Sequence, residues 1–324
     1  GSEMCIRDSM GRVYRTKVWQ LPEASRDARG GHVAGLLSFL PEEHITRVMT
    51  LRSYDDAKYL LLATRAGLVK KTQLTAYDSS RQAGVIAINF RTDDDELIGA
   101  ELCGPDDDVL LISRKGQAIR FGADDEQLRP MGRATSGVTG MKFRGDDELL
   151  SMSVIEAGTD EDERFVFTAT DGGYAKRTLV SEYRRQGRGG LGIKAMALSE
   201  DRGSLVGGLV VQEADEVIAI RTSGQLTRSA VAEVPVKGRS TMGVKFVNVR
   251  GKDAVSIIAL NPEHEESDDD SQPGHDEVRG ATQGGGSGAR GGASDEDAST
   301  DEDTAGTVVS DEASDDAGEH GEQA

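Results

Sequence analysis

Seven consecutive residues concentrate the chemistry that can be read locally: Gln186-Gly187-Arg188-Gly189-Gly190-Leu191-Gly192. Four glycines around one arginine cannot pack a core. They let the backbone approach a polyanion closely, while Arg188 offers charge and a planar fork of donors. Arg184, Arg185 and Lys194 add charge on either side. Gly187, Gly189 and Gly192 also satisfy G-x-G-x-x-G, but Ser181–Gln186 is not a buried strand and no βαβ unit surrounds it, which argues against a dinucleotide site. The acidic turns lack the spacing and central glycine of a calcium loop. The five histidines (His32, His44, His264, His275, His320) form no ligand cluster, Cys5 and Cys103 match no metal spacing, and no Ser or Cys has a paired base. These residues contain no catalytic site, so binding is the chemistry to explain.

The elements that position this loop recur along the chain. Apolar runs at 59–64, 109–113, 165–170 and 217–222 lead to turn glycines Gly67, Gly116, Gly173 and Gly224, and a truncated copy turns at Gly11. The turn glycines are 56, 49, 57 and 51 residues apart, a period that marks a propeller or array. Each unit predicts a hairpin, a polar loop, and a third strand opened by glycine (Gly84, Gly140, Gly192, Gly243). An acidic turn and a fourth strand follow. The expected fold is all-β, with four-stranded propeller-like blades.

Four residues after every turn glycine stands a base: Arg15, Lys71, Arg120, Arg177 and Arg228. Repeated around an axis, such a position predicts a ring of charge and a polyanion track. It shares strand parity with an apolar position in every unit (Val13, Val69, Ala118, Ala175, Leu226). The basic heads are therefore expected to snorkel past the edge of the core.

The net charge of −19 is unevenly distributed. Residues 262–324 hold 2 Lys+Arg against 20 Asp+Glu, leaving residues 1–261 with 36 against 37. The body is near neutral, and local clusters of its bases remain able to bind phosphates. The tail is Asp, Glu, Ser, Gly and Ala, and is expected to be disordered. It serves as a solubiliser or as a polyanion mimic lying along the basic rim. No apolar run has membrane-spanning length, and two distant cysteines suit a reducing cytoplasm. Residues 1–9 lack the apolar strand expected before Gly11 and read as foreign sequence, which leaves 10–261 for the blades and 262–324 for the tail.

The blade pattern and the glycine loop resemble the C-terminal DNA-wrapping domain of DNA gyrase A, in its actinobacterial form. The family box is Gln-x-Arg-Gly-Gly-Lys-Gly; Gln186, Arg188, Gly189, Gly190 and Gly192 match it, and Leu191 stands in place of Lys. Gly11–Trp19 with Pro22–Arg26 is similar to the blade that follows the box-bearing first blade. The resemblance covers roughly residues 10–260. It implies a six-bladed β-pinwheel with strands exchanged between neighbours, of which about five blades are present and the first is missing. The box at 186–192 would be a second, degenerate copy. The implied partner is double-stranded DNA, together with the rest of gyrase A and with gyrase B in an A2B2 heterotetramer. The implied role is positive wrapping of DNA that supports negative supercoiling. No cofactor is expected in this chain; ATP and Mg2+ act elsewhere in the holoenzyme. The related domain of topoisomerase IV and a protein-binding propeller are the alternative readings.

Overall fold

A computed structural model describes residues 3–261 apart from 9, 26, 40–44, 56, 80 and 82. The expected acidic tail lies outside the described residues. Nineteen strands and a few short 3-10 turns make up the secondary structure among them, and no helix is long and apolar enough to cross a membrane. In chain order, unit I contributes β1 (Glu3–Asp8), β2 (Arg12–Lys17) and β3 (Ile45–Leu51). Unit II contributes β4 (Tyr59–Thr64), β5 (Leu68–Gln73), β6 (Val85–Ile86) and β7 (Leu97–Cys103). Unit III has β8 (Asp108–Ser113), β9 (Gln117–Gly122), β10 (Val138–Thr139) and β11 (Leu149–Ile155). Unit IV has β12 (Arg164–Thr170), β13 (Tyr174–Leu179), β14 (Ile193–Lys194) and β15 (Leu205–Gln212). Unit V has β16 (Glu216–Arg221), β17 (Leu226–Ala230), β18 (Val244–Lys245) and β19 (Val255–Leu260).

The sheets are not the sequence units. Each unit's short third strand leaves its own hairpin and pairs with the second strand of the preceding unit: β6 with β2, β10 with β5, β14 with β9, β18 with β13. Four sheets thus have four strands, and the fifth, β17-β16-β19, has three. Glycine makes the crossover. Gly192 has φ +73°, and a Cβ there would lie 2.3 Å from the Ala118 carbonyl oxygen on β9, the strand of the preceding unit that β14 joins. Unit III departs from expectation: its crossover glycine is Gly137 at φ +80°, three residues before Gly140, and β10 is Val138–Thr139.

A second difference lies at the start. Glu3–Asp8, read as foreign to the repeat, forms β1 and pairs antiparallel with both β2 and β3. Backbone ladders need no apolar side chains, so composition alone missed this strand.

The core lies between sheets. Leu61, Val69, Leu111, Phe121 and Met152 pack in the layer between the second and third sheets, while Leu60 and Leu62 face the layer shared with the first. Both faces of β4, β8 and most of β12 are therefore buried, which explains their continuous apolar runs. In the fifth sheet, Ile220, Leu226 and Ile257 remain exposed.

Candidate nucleic-acid interface

The fourth strands β3, β7, β11, β15 and β19 pack successively on one another along one edge of the sheets. The exchanged strands occupy the opposite edge. Loops that lead from a second strand into an exchanged strand run along that outer edge, and the glycine loop 186–192 is one of them.

The five repeated bases are on second strands and behave differently from expectation. Lys71, Arg120 and Arg177 are buried, at 0%, 7% and 6% exposure. Each reaches a carbonyl just beyond the second strand of the following unit: Lys71 Nζ to Ala123, Arg120 Nη1 to Tyr183 at 3.3 Å, Arg177 Nε to Val234 at 2.7 Å. Each also has a carboxylate. Lys71 pairs with Asp125 at 2.9 Å, and Arg177 with Glu213 at 2.9 Å. Arg120 pairs with Asp108 at 2.8 Å and with Glu161. The bond to Glu161, followed by those to Asp108, outweighs burial and holds Arg120 firmly protonated. Arg15 pairs with Asp78 of the next unit, and Arg228 with Glu216.

Lys71 and Arg177 further lie over the Tyr59 and Phe165 rings, 4.3 and 4.6 Å from their centroids. The main chain joins in, because Met131, Gln186 and Lys237 N–H groups donate to the Lys71, Arg120 and Arg177 carbonyls. The expected snorkelling ring of charge is therefore corrected for these three: they fasten each blade to the next. Strand parity pointed them inward, and a nearby carboxylate makes the buried site tolerable.

The glycine loop is stapled from within. Gln186 N–H donates to the Arg120 carbonyl at 2.8 Å, and Gly189 N–H to the Gly140 carbonyl at 2.6 Å; Gly190 accepts from Lys142 N–H at 2.9 Å. Half-buried Arg188 turns its fork back on its own fold, donating to the Gln127 carbonyl and, through Nη1, to the Thr139 carbonyl at 3.0 Å. These bonds tie the loop to unit III. What the loop presents outward is Leu191, 38% exposed, flanked by Arg184, Arg185 and Lys194. Arg185 is held by Asp108 at 3.0 Å and Asp124 at 2.8 Å. It lies flat on Gly122, where any Cβ would sit 1.8 Å from its Nη2.

The structure also brings out a repeat that the sequence reading passed over. Gly-Arg-x-x-x-Gly occurs at 132–137, 187–192 and 238–243, always ending on the crossover glycine. Arg239 Nη1 donates to the Lys194 carbonyl at 3.0 Å, the counterpart of Arg188 on Thr139. The spacing of 55 and 51 residues was a usable signal, masked by the misplaced strand start at Gly140. Around these loops, Arg129, Lys142, Arg184, Lys194 and Lys237 are exposed and make no ion pair among the described residues. Lys71, Arg120 and Arg177 on second strands are thus paired and buried, while Arg129, Arg184 and Lys237 on successive outer loops are exposed and make no ion pair among the described residues.

The family described as "DNA gyrase C-terminal domain, beta-propeller" matches residues 11–50, 58–103, 107–156, 164–212 and 215–261, one segment per unit. The DNA gyrase A protein of Streptomyces coelicolor is 62% identical over 257 residues, which cover 78% of this chain and 29% of that protein. Its counterpart in a Nocardioides species is 58% identical over 280 residues, covering 78% and 30%. The chain thus spans about three-tenths of the length of these relatives. Among solved structures, the C-terminal domain of a DNA topoisomerase IV superposes with TM-score 0.72 at 22% identity, covering 80% of this chain and 79% of that one. A DNA gyrase A C-terminal domain superposes with TM-score 0.67 at 23% identity, covering 80% and 82%. These two establish the fold. With all five units matched in register, the chain belongs to the DNA gyrase C-terminal domain family of β-propellers.

Proposed function

We propose that this chain binds duplex DNA along its outer loops and wraps it, as the non-catalytic part of a type IIA topoisomerase that introduces negative supercoils. The observation that carries the reading is the set of exposed bases without an ion pair among the described residues, which lie on consecutive loops and on or just after the exchanged strands at one edge of the sheets. Phosphates contacted at intervals along such an edge give sequence-independent, salt-sensitive binding. Bending a short duplex costs about 1–6 kcal/mol, so several spaced contacts are required. The bound segment is then presented to the gate formed by the rest of gyrase A. Gyrase B supplies the ATPase, and ATP and Mg2+ are used outside this chain, within an A2B2 assembly on the nucleoid in the cytoplasm.

Within this interface the site comprises Arg184, Arg185, Leu191 and Lys194 at the glycine loop and the exposed bases of the neighbouring loops, with Arg188 and Gly192 shaping it. The buried members of the repeated set contribute stiffness. The net charge of −18 on residues 262–324 repels a polyanion and lowers the chain's apparent affinity for DNA.

Ligation of nicked circular plasmid with the protein present, followed by topoisomer counting, tests the reading. A protein-dependent positive shift in linking number is expected. Tight, salt-sensitive binding without a shift would reduce the role to bending, as in the topoisomerase IV reading. Absent or salt-insensitive binding would leave a protein-interaction propeller.

A further inference from the structure

Two buried ammonium groups have no carboxylate partner among the described residues. Lys70 and Lys176 each stand one residue before the repeated base, on the opposite face of the second strand, and both are fully buried. Lys176 Nζ donates to the Gly238 and Arg239 carbonyls at 2.7 and 2.6 Å. Two residues on, Thr178 Oγ1 donates to the Lys237 carbonyl at 2.7 Å. Three consecutive carbonyls of the outer loop 237–239 are thus held by two side chains of β13. Lys70 Nζ does the same for the Arg133 carbonyl in unit III, together with that of Ala87.

A buried cation paired only with carbonyls is costly to keep. The fold does not demand it at this position, because β9 carries buried Ile119 there, whose Cδ1 would lie 3.5 Å from a Cβ placed on Gly190. The loop behind Ile119 is the one stapled by Arg188 itself. Burial lowers Lys176 to about 8, Glu182 opposing and Arg239 adding to it. Charged or neutral, the amine retains the two donors the clamp uses.

We propose that Lys176, with Thr178, is a positioning residue of the interface: it fixes the backbone of Lys237–Arg239 so that the exposed Lys237 ammonium meets a DNA phosphate. Lys70 performs the same service for the Arg133 loop. The inference rests on the DNA-binding reading above.

The test measures duplex affinity of the full chain against salt for wild type, Lys176→Met, Thr178→Val, Lys237→Ala and the Lys176→Met/Lys237→Ala pair, with amide exchange mapped over 237–240. Lys237→Ala is expected to lower the slope of log K on log salt by about 0.9, the value of one phosphate contact. Lys176→Met is expected to lower it equally, the pair no further than either alone, and exchange at 237–240 to quicken while the first three sheets stay protected. Thr178→Val, which keeps the β13 backbone and removes only a hydroxyl, is expected to shift slope and exchange in the same direction. It decides the matter if Lys176→Met does not fold. Additive slopes for the pair, or unchanged slope and exchange in Thr178→Val, overturn the inference. A wild-type chain without salt-dependent duplex binding overturns the DNA reading instead, and is recognised before any variant is compared.

Discussion

Replacing Arg120 by Met separates the two roles a repeated base can play. Its guanidinium is 8% exposed and bonded to Asp108 at 2.8 Å, to Glu161 and to the Tyr183 carbonyl of the next unit. Removal leaves Asp108, 10% exposed, without its main counter-charge. Breaking a buried pair from one side costs about 3–5 kcal/mol. Arg185 Nε, 3.0 Å from the other Asp108 oxygen, remains as partial compensation and places the expected loss near about 3 kcal/mol. For a folded body of this size that corresponds to a fall in Tm of about 6–12 °C. The exposed analogue is Arg228, whose side chain is 48% accessible and pairs with Glu216; its replacement by Met is expected to cost under about 1 kcal/mol. Thermal melts followed by circular dichroism measure both. Arg120→Met/Asp108→Asn is expected to recover part of the loss, because the stranded charge is gone. Salt titration of duplex binding at a temperature where all variants are folded supplies the second axis, and Arg120→Met is expected to leave its slope unchanged. A melt within about 2 °C of wild type together with a slope lower by about 0.9 would refute the blade-fastening role and restore the ring of phosphate contacts.

Four further outcomes are expected. Burial and then the neighbouring Arg133 lower Lys70 to about 7, so the ammonium is disfavoured in the fold; the contribution of Lys70 to stability is lowest below pH 7 and rises as pH climbs toward the unfolded value of 10.5. Lys70→Met should flatten that rise in denaturant midpoints measured from pH 6 to 10, and an identical profile would count against it. Burial pushes the Cys103 thiol up to about 12, so peptide mapping after maleimide treatment should find it unmodified in native protein and modified once denatured. Gly192→Ala places a Cβ 2.3 Å from the Ala118 carbonyl at φ +73° and should cost at least about 2 kcal/mol; an unchanged unfolding midpoint would show that the β9–β14 crossover is not constrained. Removing residues 262–324 takes away a net charge of −18 and should raise duplex affinity at low salt, an effect that disappears at high salt if it is electrostatic.

The repeat, the all-β class and the hairpins were legible in the chain because they are local. Apolar runs such as Tyr59–Thr64 ending on a turn glycine state strand, turn and burial within a few residues. The glycine loop was likewise visible from composition, and the resemblance to a gyrase domain followed from it and the blades. Which sheet receives the third strand was not readable from the residues themselves. Val138–Thr139 spans only two residues, too few to carry a period, and its pairing with β5 depends on a crossover set by Gly137 against the Val69 carbonyl 2.5 Å away. The direction of the bases was equally hidden. Lys71 and Lys237 are the same residue type in similarly polar contexts, yet one is fully buried against Asp125 and Ala123 while the other is exposed. A side chain's partner lies some fifty residues away in the next unit, and only stacking of the sheets brings the two together. The sequence by itself thus determined the unit and its charge inventory; the tertiary structure decided which charges became mortar between blades and which remained on the outer loops, because desolvation favours pairing inside and hydration favours freedom outside.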